Sequence, residues 1–162
     1  MKGQIVELLC GPIASGKSTY CKKRAKEGFI IINDDAIVNA VHCGLYTQYE
    51  IALKPLYKGI ENFILNMALA MGKSVVIDRP NYSKNMRKRY ISIANSLDVP
   101  IVCVIFEDAG GAEHAYRRVK SDSRGVDFDY WLNVYYTHKS LYEVPALDEG
   151  FEAIINAESN IE

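Results

Sequence analysis

Eight residues near the start of the chain restrict its architecture more than any other feature: Gly11-Pro12-Ile13-Ala14-Ser15-Gly16-Lys17-Ser18. They follow an apolar run, Ile5-Val6-Glu7-Leu8-Leu9-Cys10, and open a helical stretch from Lys17 to Lys26. A strand, a loop of the form G-x-x-x-x-G-K-[ST] and a helix, in that order, make a cradle for phosphate groups. The glycines let backbone N–H groups converge on phosphate oxygens, and the helix N-terminus adds partial positive charge. Lys17 is placed for the β- and γ-phosphates, and the Ser18 hydroxyl suits Mg²⁺. Gly11, Ala14, Ser15, Gly16, Lys17, Ser18 and Thr19 are therefore the candidate nucleotide-binding residues, with ATP and Mg²⁺ the expected ligands.

Further apolar, β-branched runs at Phe29-Ile32, Ser74-Ile77, Ile101-Phe106 and Glu152-Ile155 lack strict polar alternation. Such runs read as strands buried on both faces, as in a parallel sheet covered by helices. Between them, helical patterns span Asp35 to Val41, Tyr49 to Met71 with Pro55 as a start or kink, Ser83 to Leu97, Gly111 to Lys120 and Asp129 to Leu141. On the third of these stretches Met86, Tyr90, Ile93, Ala94 and Leu97 share a face, with Lys84, Arg87 and Lys88 off it. The alternation predicts an α/β fold: a parallel five-stranded sheet with helices on both faces and right-handed crossovers.

With 162 residues, 49% of them hydrophobic, the chain has material for one domain spanning residues 1–162. Its apolar runs fall short of the roughly 20 residues of a membrane helix, so no membrane partner is expected. The N-terminal segment lacks the features of an export signal. Cys10, Cys21, Cys43 and Cys103 show no metal-ligand spacing and read as reduced thiols, which points to the cytoplasm. The net charge of -1 argues against a protein that coats nucleic acid. The charge is uneven, however: residues 141 to 162 hold six acids and no base, leaving an excess of five positive charges in the remainder. Oligomeric state leaves no signature.

Three further segments carry chemistry. Ser74-Val75-Val76-Ile77-Asp78 ends an apolar strand in a carboxylate, the place of a residue that holds Mg²⁺ through water, so Asp78 joins Ser18 as a metal candidate. Asn33-Asp34-Asp35 puts two carboxylates at the end of the second strand, on the ligand edge of an open α/β sheet, where one can orient or deprotonate a hydroxyl. Arg117 to Val126 is a basic helix end running into a polar turn, suited to a small helical lid over about residues 117–128 that brings Arg118 or Arg124 over a transferring phosphoryl group. A guanine-specifying N-K-x-D sequence is absent.

These segments together resemble the polynucleotide kinase-like P-loop phosphotransferases, a family that includes the kinase domains of phage and bacterial end-repair enzymes. The likeness runs through the phosphate loop, Asn33-Asp34-Asp35, Ile77-Asp78-Arg79-Pro80-Asn81 with Arg87, the Arg118 to Arg124 lid, and Glu143-Val144-Pro145 leading to Asp148-Glu149-Gly150-Phe151. The resemblance implies a P-loop NTPase fold. It makes Asp35, with Asp34 as its neighbour, the base that acts on the acceptor hydroxyl, and gives a lid arginine the nucleotide phosphates. The implied substrate-binding set is Asp34, Asp35, Arg79, Asn81 and Arg87. One departure stands out. Where phage members carry an arginine that grips an acceptor phosphate, three residues past the catalytic Asp, this chain has Val38. Such a contact contributes about 1.5 to 3 kcal/mol, and Lys84, Arg87, Lys88 and Arg89, with His42, Tyr46 and Tyr49 as stacking surfaces, are the candidates to replace it.

The expected function is therefore an ATP-dependent kinase that moves the γ-phosphate to a hydroxyl, with the 5′-OH of a DNA or RNA end as the leading acceptor. Asp35, Lys17, Arg124 and Arg118 are its expected catalytic residues. A kinase for a nucleoside, another small alcohol or a hydroxymethylated base in DNA is the alternative that Val38 favours. A non-catalytic ATP-binding switch module is the second alternative.

Overall fold

The apolar runs fold as the strands of one sheet. The structure is a computed structural model that describes residues 3–122 and 124–157. Ser123, inside the anticipated lid, and Glu158 and Glu162, from the acidic end, lie outside the described residues. The strands are β1 (Val6–Cys10), β2 (Ile30–Asn33), β3 (Val75–Asp78), β4 (Ile101–Ile105) and β5 (Ala153–Asn156). Their spatial order is β2-β3-β1-β4-β5, every pairing parallel. The helices are α1 (Lys17–Lys26), α2 (Asp34–Val41), α3 (Lys54–Ala70), α4 (Lys84–Ser96), α5 (Gly111–Ser121) and α6 (Phe128–Ser140). Parallel pairing requires crossovers, and the helices supply them.

Both faces of the sheet are covered, which is why its strands are not amphipathic. On one face Val6, Leu8, Val75, Ile77 and Ile101 pack against Ile37 and Val38 of α2, Leu65 and Leu69 of α3, and Tyr90 and Ala94 of α4. On the other, Leu9, Val76, Val102 and Val104 meet Cys21 of α1, with Tyr20 alongside. The polar exception in β1 is Glu7, 4% exposed. It survives there because Arg24 pairs with it at 2.7 Å and the Tyr20 hydroxyl donates to it at 2.9 Å. A buried carboxylate needs that partnership.

The anticipated helix from Tyr49 to Met71 is shorter than its pattern. Two 3₁₀ turns, Tyr46–Gln48 and Ile51–Leu53, precede α3, and Pro55 sits in the first turn of α3. Proline has no N–H and clashes with the preceding turn, so it is tolerated only where a helix begins. The polar ends are capped as their residue types dictate. Asn33 accepts from the Ala36 N–H at 2.9 Å, Ser83 from Met86 at 3.3 Å and Asp127 from Tyr130 at 2.8 Å. Among the described residues no helix is long and apolar enough to cross a membrane.

Candidate active site

The strand register brings the candidate residues together at the carboxyl edge of the sheet. β1 ends at the phosphate loop, and its neighbour β3 ends at Asp78. Asn33, the last residue of β2, is the register partner of Asp78. In the loop, Ala14 and Gly16 adopt positive φ of 48° and 98°, turning the chain into α1. Gly11 has no room for a side chain, since a Cβ there would lie 2.7 Å from that of Phe106. Ser18 and Thr19 are exposed in the first turn of α1.

Lys17 folds back into this loop and is 8% exposed. Its ammonium donates to the carbonyl of Gly11 at 2.9 Å, to the carbonyl of Pro12 and to the Ser15 hydroxyl at 3.2 Å. Burial drives its pKa down to about 8, against the pull of the Asp78 carboxylate. A cation held this way has its donors on weak acceptors that phosphate oxygens can replace. The exposed Ser18 hydroxyl and the Asp78 carboxylate, 8% exposed, are the hard oxygen donors that Mg²⁺ takes while keeping several waters. Their chemistry fits that ion.

Asn33 was not singled out by sequence, yet it couples two parts of the site. Its Oδ1 caps α2, the helix that carries Asp34 and Asp35, and its Nδ2 donates to the Asp78 carboxylate at 3.0 Å. The signal was present as an N-cap residue directly before two acids; its second bond depends on register and cannot be read locally.

Asp34, Asp35, Val38, Tyr46 and Arg79 line a cavity of about 190 Å³. Asp34 pairs with Arg79, which also reaches the buried Glu61 at 3.3 Å. Partial burial pushes the Asp34 carboxyl up to about 6; Arg79 opposes the shift, and the charges of Glu61 and Asp35 add to it. Asp35, by contrast, faces Arg118 of α5. The guanidinium of Arg118 lies 3.7 Å from its carboxylate. Arg124 stands over the Tyr46 ring at 4.7 Å, and both arginines flank Trp131 of α6, at 4.8 and 4.9 Å. Desolvation and the charge of the nearby Asp35 carboxylate raise Tyr46 to about 12. Arg118, the first turn of α2 and the Tyr46 ring thus meet at Asp35.

Two expected substrate contacts are placed differently. Arg87 is fully buried and faces inward on α4, with its Nε and Nη2 each 2.8 Å from a Glu149 oxygen and its Nη1 donating to the carbonyls of Asn81 and Glu143. Its partners Glu143 and Glu149 lie more than fifty residues away, so helical periodicity alone assigns it to the polar side. Asn81 is likewise buried, at φ 48°, and its Nδ2 donates to the Leu9 carbonyl at 2.7 Å, tying the end of β3 to that of β1. Both are buried and bonded within the protein beside the ends of β1 and β3. Arg89 is also committed, to Glu61 at 2.5 Å, and Lys84 and Lys88 are exposed on α4.

A larger cavity of about 230 Å³ lies on the other flank of the phosphate loop, between Pro12, Tyr82, Phe106, Tyr135, His138 and Tyr142. Its walls are aromatic and it contains neither Asp34 nor Asp35. The Asp34 and Asp35 carboxylates line the smaller one.

A parallel 2-3-1-4-5 sheet, a phosphate loop after β1 and a carboxylate at the end of β3 define a nucleotide-binding P-loop domain of the kinase-like type. The chain belongs to the AAA domain family AAA_33, whose model matches residues 6–143. It is 26% identical over 152 residues to the bifunctional polynucleotide phosphatase/kinase of Schizosaccharomyces pombe, a match that takes in 91% of this chain and 32% of the relative. The chain thus spans about a third of that protein's length. Among solved structures, one from Chloroflexus aurantiacus superposes with a TM-score of 0.71 at 15% identity, covering 97% of this chain and 86% of the other. A fungal RNA kinase does so with a TM-score of 0.59 at 16% identity, covering 100% and 78%. These two likenesses are of fold.

Proposed function

We propose that the protein transfers the γ-phosphate of ATP to a hydroxyl, the 5′-OH of a polynucleotide being its acceptor. The observation that carries this reading is the position of Asp35: at the mouth of a cavity on the carboxyl edge of the sheet, on the helix that follows β2, with a lid arginine 3.7 Å away. A nucleotide switch has no need of a carboxylate facing such a cavity. The polynucleotide acceptor is supported by the 26% identity to a protein named as a polynucleotide phosphatase/kinase.

In the proposed reaction the phosphate-loop amides and Lys17 hold the β- and γ-phosphates. Ser18 and Asp78 would hold Mg²⁺, which when bound supplies positive charge to those oxygens. The acceptor oxygen attacks the γ-phosphorus, the bond from that phosphorus to the β-phosphate oxygen breaks, and ADP leaves. The acceptor proton passes to the Asp35 carboxylate. Arg118 and Arg124 move from Asp35 and Tyr46 onto the phosphoryl oxygens, where charge spreads in the transition state. Asp34, tied to Arg79, fixes the first turn of α2 and so the direction of Asp35.

The test is transfer of label from γ-labelled ATP to 5′-hydroxyl oligonucleotides and to free nucleosides in parallel. Labelled oligonucleotide ends are expected. Label on nucleosides or small alcohols with none on strand ends would move the reading to the small-acceptor kinase, which the modest cavity and the apolar Val38 in its wall favour. Tight ATP binding with no acceptor labelled at all would leave only a nucleotide-binding module.

A further inference from the structure

α3 turns one side to the core and leaves the other bare. Tyr57, Leu65, Ala68 and Leu69 are buried in the main apolar cluster. On the opposite side Phe63 is 67% exposed, Leu56 and Met67 are close to half-exposed, and Gly59 and Ala70 lie at the surface between them. Met71, which ends the helix, is 68% exposed. From Leu56 to Ala70 these residues recur at intervals of three and four, so they form a single stripe along the helix. A solvated helix face normally carries charge. This one carries none. Between Leu56 and Met71 the charged side chains are Glu61, buried against Arg79 and Arg89, and Lys58, which lines the cavity beside Asp34.

Gly59 is the second oddity. It sits inside α3 without a positive φ, and a Cβ there would meet nothing within 4 Å, so neither the backbone nor the packing of this chain calls for glycine. Inside a helix glycine is weaker than alanine. What it supplies is a gap in the stripe, and the stripe holds the side chain that fits such a gap. When two copies of α3 pack antiparallel about a twofold axis through Phe63, each residue shares a level with the partner's residue equally far from Phe63 in the other direction. Gly59 then shares a level with the partner's Met67, and Leu56 with the partner's Ala70. Each level joins a large residue to a small one, and Phe63 meets its own counterpart on the axis. Small residues at these levels let the two helix axes approach to the usual distance of about 8–10 Å.

We infer that this face of α3 is the contact between two copies of the chain, an isologous dimer with the α3 helices antiparallel and Phe63 on the twofold axis. At roughly 200 Å² for a fully exposed large side chain, the stripe presents on the order of 500–600 Å², the upper end of what a monomer leaves open. A symmetric pair would bury about 1,000–1,200 Å² in total, at the lower edge of specific interfaces. The association is therefore weak and reversible, formed at micromolar concentration. The absence of charge suits this occupant: an identical face meets no like charge, and a partner selected by charge finds nothing to select. None of the stripe residues lines the cavity of Asp34 and Asp35, so the contact does not depend on the reaction assigned there.

Sedimentation velocity across the micromolar range tests the contact. The unaltered protein is expected to pass from monomer to dimer as its concentration rises. Phe63→Glu and Phe63→Lys, each alone, set two like charges on the axis and should stay monomeric throughout. Mixed in equal amounts they should dimerise again, because each charge then meets its opposite across the axis. Gly59→Leu fills the gap without touching the core and should raise the dimer Kd about tenfold or more. Both positions are exposed, and a thermal melt at low concentration checks the fold. If a charged variant melts early, Gly59→Leu carries the test alone. A monomer at every concentration overturns the dimer and leaves the stripe to a partner of another sequence. Dimers of unchanged Kd in the Phe63 and Gly59 variants overturn the choice of face. Single Phe63 variants that are monomeric alone and remain so when mixed overturn the antiparallel register.

Discussion

Lys17 occupies an environment that favours its neutral form, and a phosphate ligand reverses that preference. Without nucleotide its pKa is pushed down to about 8 by burial. Bound phosphate oxygens would hold the ammonium form. Above about pH 8, therefore, binding must draw a proton from solution, and nucleotide affinity should weaken by up to about tenfold per pH unit. Calorimetry at pH 9 in two buffers of different ionisation enthalpy should show close to one proton taken up per nucleotide, and close to none at pH 7. Equal heats in both buffers at pH 9 would mean that Lys17 does not meet the phosphates. Asp35 is the other residue whose chemistry is directly testable. Asp35→Asn keeps its shape and removes its basicity, so kcat should fall by about 10²–10⁴-fold while ATP binding stays within a few-fold. Both residues were legible in the sequence because each sits at a fixed step from a strand end. Lys54 and Lys58 were not. Their place on the cavity rim depends on α3 folding back beside α2, and their lack of an acidic partner among the described residues on Arg79 engaging Asp34 and Glu61.

At the level of elements, apolar patterning located the strands and helices, while long-range polar contacts set how they dock. The segment Glu143 to Phe151 shows why. Its resemblance to a known family marked it as significant without saying what it does. In the structure it clamps α4. The Glu143 carboxylate accepts from the Lys84 N–H at 2.7 Å, at the start of the helix, and Glu149 takes the Arg87 guanidinium in a two-pronged pair. Glu149 is held well below the usual carboxylate range: burial opposes this, but Arg87 and the Ala146 N–H prevail. With Arg87 0% and Glu149 8% exposed, removing one partner leaves a buried charge unanswered. Arg87→Ala should therefore destabilise the fold by about 3–5 kcal/mol, read as a lower urea midpoint. Arg87→Met with Glu149→Leu should recover much of the loss, since an apolar pair of similar volume meets no desolvation penalty. If Arg87→Ala melts like the unaltered protein but loses acceptor binding, the guanidinium contacts substrate after all. Nothing local in the sequence distinguishes this arginine from the solvated Lys84 and Lys88 beside it.

For the whole molecule, the decisive quantity is where the charge lies. The overall balance is -1, and several basic side chains that a count takes as available are engaged internally: Arg24 with Glu7, Arg79 with Asp34 and Glu61, Arg87 with Glu149, and Arg89 with Glu61. What remains near the acceptor cavity is the Lys54 and Lys58 pair, with the lid arginines committed to Asp35, Asp122 and the aromatic wall. On the proposed reading such a surface would capture one end of a strand and have little hold on its length. The salt dependence of oligonucleotide binding measures this directly. For single strands, log K falls against log salt with a slope of about -0.7 per neutralised phosphate, so two lysines predict a slope near -1.4. Extending the oligonucleotide from two to ten nucleotides should change neither the slope nor the affinity by more than about twofold, because Lys54 and Lys58 are the cations without an acidic partner among the described residues that line the cavity. Fluorescence anisotropy with end-labelled strands, over a tenfold range of salt, gives both numbers. A slope steeper than about -3, or affinity rising with each added nucleotide, would mean that a surface beyond the cavity grips the strand, and that the positive excess of residues 1–140 acts as a track. In the Lys54→Gln, Lys58→Gln variant the slope should approach zero, which separates a binding defect at these two positions from a general loss of affinity.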